Sequence, residues 1–216
     1  MNRSCRLATA SILAGATLSL SGCFPLAVTG AAVGALAALD RRTVGAQTED
    51  ESIELKAASQ LRSAAGLAGG VSVTSYNRKV LLTGQVPDEA ARRRAEQIVA
   101  GIDNVRTVHN EIQVSGRVAF STTSGDALIT TKVKAALVDA RDIQAHNIKV
   151  VTENGVVHLM GLVVQREAER AAQVASRVGG VQRVVTVFEV VSDDELQRIR
   201  RVQGSQEQAG RQEVTK

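Results

Sequence analysis

The chain has 216 residues, with 26 Lys and Arg against 22 Asp and Glu, and it is 44% hydrophobic but only 2% aromatic. So small a charge excess, with one Tyr, three Phe and no Trp, argues against a nucleic-acid binder, which needs basic surface and stacking platforms. The length accommodates one medium or two small domains.

At the N-terminus, Arg3 and Arg6 precede an uncharged run from Leu7 to Leu20, the layout of a secretory signal. The run closes on Leu20-Ser21-Gly22-Cys23, which resembles a bacterial lipobox. Cleavage after Gly22 makes residues 1–22 a signal peptide and leaves Cys23 as an acylated first residue of a 194-residue chain. A single acyl chain holds a membrane only marginally, whereas several anchor it almost permanently. The leader takes Arg3, Arg6 and Cys5 with it. The mature charge is then 24 basic against 22 acidic, and no disulfide can form within the chain. Phe24, where Asp would retain a lipoprotein at the inner membrane, points to the outer membrane.

Residues 26–39 are apolar or small and fall short of the roughly 20 residues a helix needs to span a bilayer. They read as a lipid-proximal spacer, or as a helix whose Gly30 and Gly34 permit close packing. Polar character begins at Asp40-Arg41-Arg42-Thr43. Residues 23–50 are therefore expected to be anchor and linker.

The rest repeats itself. Val73, Val80, Leu82 and Gly84 match Val150, Val157, Leu159 and Gly161 at an offset of 77. Ile53, Lys56, Leu61, Ala95, Gln97, Val105 and Val108 match Ile129, Lys132, Leu137, Ala171, Gln173, Val181 and Val184 at 76. Such self-similarity means two copies of one structural unit. The first copy reads as helix 51–65, strands 71–76 and 79–83, helix 88–102 and strand 105–114. The second reads as helix 126–139, strands 148–152 and 156–160, helix 166–178 and strand 181–191. Asn77 marks one hairpin turn, and Asn154-Gly155, a strong hairpin dipeptide, marks the other. The strand–helix–strand step should return parallel by a right-handed crossover. The expectation is an α+β fold of two tandem units, 51–115 and 126–191, each with two helices on a three-stranded mixed sheet. At this size a single core is marginal, so the copies are expected to support each other. Residues 192–216 turn polar, through Arg198, Arg200 and Arg201, and read as a short helical extension followed by a disordered tail.

Nothing in this pattern supports catalysis. His109, His146 and His158 lack metal-ligand spacing and read as ordinary surface or edge residues. No Ser, Cys or Asp forms a triad-like setting with them. No catalytic residue, metal ligand or cofactor site is expected. Gly84 and Gly161 each close a strand before a helix and read as structural glycines. Arg92-Arg93-Arg94 reads as a solvated helix face.

The helix–strand–strand–helix–strand unit, with Val80-Leu81-Leu82-Thr83-Gly84 and Val157-His158-Leu159-Met160-Gly161, resembles the BON domain. Lipobox, Asp40-Arg41-Arg42-Thr43-Val44-Gly45 and two units in series resemble the dual-BON outer-membrane lipoproteins. Further matching stretches are Thr130-Thr131-Lys132-Val133-Lys134, Val151-Thr152-Glu153-Asn154-Gly155 and Arg166-Glu167-Ala168. The resemblance implies a non-enzymatic, lipid-anchored protein on the periplasmic face of the outer membrane. It also implies binding of an anionic phospholipid such as phosphatidylglycerol and support of envelope integrity, with envelope or division proteins as further partners. It places the lipid site on the first helix of the second unit, here Ala127, Leu128, Ile129, Lys132 and Lys134. Leu128 stands where a relative carries Trp, keeping an apolar wedge but losing an interfacial anchor. Independently, Lys132 and Lys134 beside an apolar residue suit an anionic surface, at about 1 kcal/mol for each basic group. The alternative is a protein-interaction scaffold in which lipid contact is incidental.

Overall fold

The computed structural model describes residues 40–67, 69–115 and 123–214; the leader, Cys23 and the apolar segment 26–39 lie outside the described residues. The first unit opens with helix α1 (Val44–Ser63), whose start is capped by the Thr43 hydroxyl accepting from the Ala46 N–H at 3.1 Å. The supposed linker is thus helical from Val44. Hairpin strands β1 (Val71–Tyr76) and β2 (Lys79–Val86) follow, then α2 (Glu89–Ala100), capped by the Asp88 carboxylate. The last strand is broken into β3 (Thr107–Asn110) and β4 (Gln113–Val114), where one strand over 105–114 was expected. Ile112, at the break, is buried in the core.

The second unit repeats the order as α3 (Thr123–Asp139), β5 (Ile148–Glu153), β6 (Val156–Val164), α4 (Gln165–Ser176) and β7 (Arg183–Val191). β1 and β5 pair antiparallel with β2 and β6, and β3 and β7 pair parallel with the same strands. A final helix α5 (Asp193–Val214) begins where a short helical extension was expected and continues through the stretch read as a disordered tail. Its first turns are held because Leu196 is buried and Ile199 packs on apolar side chains of the sheet below.

Alternation along the strands explains the layers, since successive side chains point to opposite faces. Val80 and Leu82 of β2 meet Ile53, Ala57, Ala95 and Val99 of α1 and α2. Val157, Leu159 and Val163 of β6 meet Val133, Leu137, Ala171 and Ala175 of α3 and α4. The intervening residues form a third cluster, in which Tyr76 and Leu81 of the first unit pack on Met160, Leu162 and Val187 of the second. The sheets therefore lie face to face, with helices outside. Every residue of β6 is buried, which accounts for its nearly unbroken apolar run, as expected for a strand covered on both faces. All three clusters lie within the compact unit Ala38–Lys216.

Two buried carboxylates shape the hairpins. Asp50 accepts from the N–H groups of Asn77 and Arg78, each at 2.7 Å, and Asp126 accepts from those of Asn154 and Gly155, each at 2.8 Å. All four turn residues have positive φ, between 50° and 73°, the two-residue turn that matches strand twist.

Candidate functional site

An α-helix turns 100° per residue, which sorts the side chains of α3. Val133 and Leu137 point inward and are fully buried or nearly so. Ile129 is half-buried against the same core, and a Cβ on Gly180 would lie 3.1 Å from its side chain. It therefore belongs to the packing and is not part of the exposed group. Leu128 is 56% exposed and Val138 69% exposed, with exposed Thr131 and Ala135 between them on the same side. Lys132 borders this stripe on one flank and Lys134 on the other; both are exposed. The Thr130 hydroxyl bonds that of Thr152 on β5 at 2.7 Å, fixing the helix's rotation on the sheet.

The matching helix of the first unit is different. Ser52 replaces Leu128 at the repeat offset, and Glu54 is tied to Lys149 at 3.0 Å and to the Ser75 N–H at 2.8 Å. Its polar groups serve the junction between units.

A second feature is the strap at residues 40–43. Arg41 is 4% exposed and forms a two-pronged pair with Glu167 at 2.6 and 2.8 Å. It also donates to the Leu162 carbonyl at 2.7 Å and to Gln144 at 3.1 Å. Burial pushes the Glu167 carboxyl up, but the Arg41 hydrogen bonds, the Val164 N–H and the Arg41 and Arg166 charges together outweigh it and hold the group below the usual carboxylate range. Arg42 pairs with Asp40 at 2.7 Å and Asp50 at 2.8 Å, and its guanidinium carbon stands 4.0 Å above the centre of the Tyr76 ring. Gln203 of α5 donates to the carbonyls of Asp40 and Arg42 at 2.9 and 3.3 Å. Sequence reasoning missed this clasp because the partners of Arg41 and Gln203 lie more than 100 residues away. Asp50 and Asp126 were passed over as well, although their match at the repeat offset of 76 is the signal that could have found them.

Among the histidines, His146 is exposed and His109 half-buried, but His158 is only 2% exposed, between the sheets. Neither of its ring nitrogens has a hydrogen-bond partner, and burial lowers its pKa, with Glu111 at 3.8 Å opposing that shift. The reading of His158 as a surface or edge residue is thereby corrected. Gly84 has φ +111°, and a Cβ there would run into the Gly70 carbonyl; one on Gly161 would meet the Asn147 carbonyl. Both glycines thus permit close backbone approach between paired strands. Among the described residues, no group of three His, Cys, Asp or Glu side chains could hold a metal ion, and no helix is long and apolar enough to cross a membrane.

Two tandem α+β units, docked sheet to sheet, each with a buried aspartate holding its hairpin, define a repeat protein with an exposed apolar–basic helix. Residues 49–116 and 125–192 each match the BON domain, and the chain belongs to the BON-domain family. It is similar to the outer membrane lipoprotein DolP of Haemophilus influenzae, with 41% identity over 181 residues, covering 82% of this chain and 93% of that protein. The 21 kDa hemolysin of Actinobacillus pleuropneumoniae is 37% identical over 155 residues, 71% of this chain and 80% of its own. The osmotically-inducible protein Y of Escherichia coli is 31% identical over 117 residues, 53% of this chain and 58% of its own.

Proposed function

We propose that this chain is a non-enzymatic lipoprotein, acylated at Cys23 and held on the periplasmic face of the outer membrane. Its second BON domain binds anionic phospholipid through α3 and supports envelope integrity. The observation that carries the reading is the outward stripe of Leu128 and Val138 flanked by Lys132 and Lys134. Isolated exposed leucines are ordinary, but an apolar stripe between two lysines on a rigid helix has the arrangement that an anionic bilayer surface accepts. The name of the Haemophilus relative supports the compartment. With the apolar sheet faces spent on the contact between units, α3 is the better candidate for a surface that meets lipid.

The test is co-sedimentation of residues 38–216 with phosphatidylglycerol vesicles and with phosphatidylcholine vesicles. Leu128→Glu exchanges burial worth about 2 kcal/mol for repulsion, so binding to the anionic vesicles should weaken at least about tenfold. Absence of wild-type binding would transfer all membrane affinity to the acyl anchor and favour the scaffold reading.

A further inference from the structure

Beyond the C-terminal end of α3 lies a cavity of about 300 Å³, walled by Arg141, Asp142, Arg166, Glu167, Asp193 and Arg200. Its floor includes Ile143 and Leu196, both buried. Three elements meet here: the segment after α3, the start of α4 and the start of α5. The wall carries three arginines and three carboxylates, but two of the carboxylates are paired with arginines from outside it. Asp142 is paired with Arg170 at 2.8 Å, Glu167 with Arg41 at 2.6 Å, and Asp193 with Arg166 at 3.5 Å. Every carboxylate on the wall is thus already engaged. Arg141 and Arg200 have no ion-pair or hydrogen-bond partner among the described residues. They converge on the cavity from α5 and from the segment after α3.

We infer that this cavity binds the phosphate of an anionic phospholipid headgroup, with Arg141 and Arg200 as its two donors. Planar guanidinium forks suit phosphate oxygens, which accept two parallel hydrogen bonds. The position agrees with the lipid source: Arg141 follows Val138, the last exposed apolar residue of the stripe, by three residues. A lipid whose acyl region lies along the stripe would bring its charged end to the end of α3, which Arg141 follows. This inference rests on the lipid-binding reading above and adds a headgroup site built partly by α5.

The experiment compares residues 38–216 with Arg141→Gln/Arg200→Gln, and with Lys56→Gln/Arg62→Gln as a control that removes the same charge from α1. Dissociation constants are measured against phosphatidylglycerol and phosphatidylcholine vesicles. The expected result is a loss of about tenfold on anionic vesicles for the cavity variant and about twofold or less for the control. Equal losses in both variants, while Leu128→Glu still weakens binding at least about tenfold, would overturn the headgroup site and leave the lipid reading standing. Failure of the wild type to bind any vesicle would remove the lipid reading and this inference with it. Nuclear magnetic resonance of the Arg141 and Arg200 side chains supplies a second arm. Shifts with phosphatidylglycerol micelles, and none with equimolar inorganic phosphate, support a headgroup site. Saturation by inorganic phosphate without a response to lipid would make it a free-phosphate site and overturn the proposal.

Discussion

Tyr76 is the only tyrosine of the chain, so its environment can be read without interference. The ring is buried in the cluster between the sheets, beneath the Arg42 guanidinium, with its hydroxyl 3.4 Å from the Asn147 carbonyl. Burial pushes the phenol up to about 12, the Asp40 carboxylate adds to that, and Arg42 opposes it. The phenolate absorbance of the native chain should therefore titrate near 12, and in denaturant near 10. The folded value is the higher one, so the unfolded chain releases its proton first. The associated stability is complete below pH 10 and is lost as pH rises from about 10 through 12. A native titration near 10 would mean that water reaches the ring, and hence that the sheets are not docked. His158 lies in the same layer, and its burial was invisible in sequence for a physical reason. In a single unit its side chain sits on the open face of the sheet, and only the other unit's sheet covers it.

At the scale of elements, the strap, α4 and α5 form one mechanical joint. A helix start at Glu51 was legible from apolar spacing, but the turns before it were not. Val44–Asp50 lacks an inward apolar stripe, and its helix is set by the Thr43 cap and by the engagement of Asp50. Removing Arg41 leaves Glu167 buried and unpaired, which costs about 3–5 kcal/mol in comparable buried pairs. Arg41→Ala should therefore unfold at markedly lower urea than the wild type. A fragment starting at residue 46 should do the same relative to one starting at residue 38. The stabilisation is present above the carboxylate range and is lost as pH falls through the depressed pKa of Glu167. Equal urea midpoints for the two fragments would show that the strap contributes nothing. The length of the final helix was underestimated for a related reason: its composition is polar, and few apolar side chains, Leu196 and Ile199, hold its first turns on the sheet.

On the scale of the whole molecule, the two units share a core, and neither sheet is covered without the other. Leu81 is fully buried in that shared cluster. Truncation to Ala should cost about 2–5 kcal/mol, and native-state hydrogen exchange should lose protection in β6 as well as in β2. Loss confined to β2 would show that the units are energetically independent. A shared core also orients α3: with the sheets facing inward, the helices of each unit must face outward.

The amino-acid sequence by itself determined the repeat, the order of elements, the hairpin turns and the inward face of α3. These follow from local periodicity, turn chemistry and spacings that stay constant between the copies. Only the tertiary structure decided what lies between the copies. It placed Arg41 against Glu167, 126 residues away, buried His158, ordered the start of α5 and assembled the arginine-lined cavity from three separate segments. Each depends on surfaces meeting across distances over which sequence carries no period.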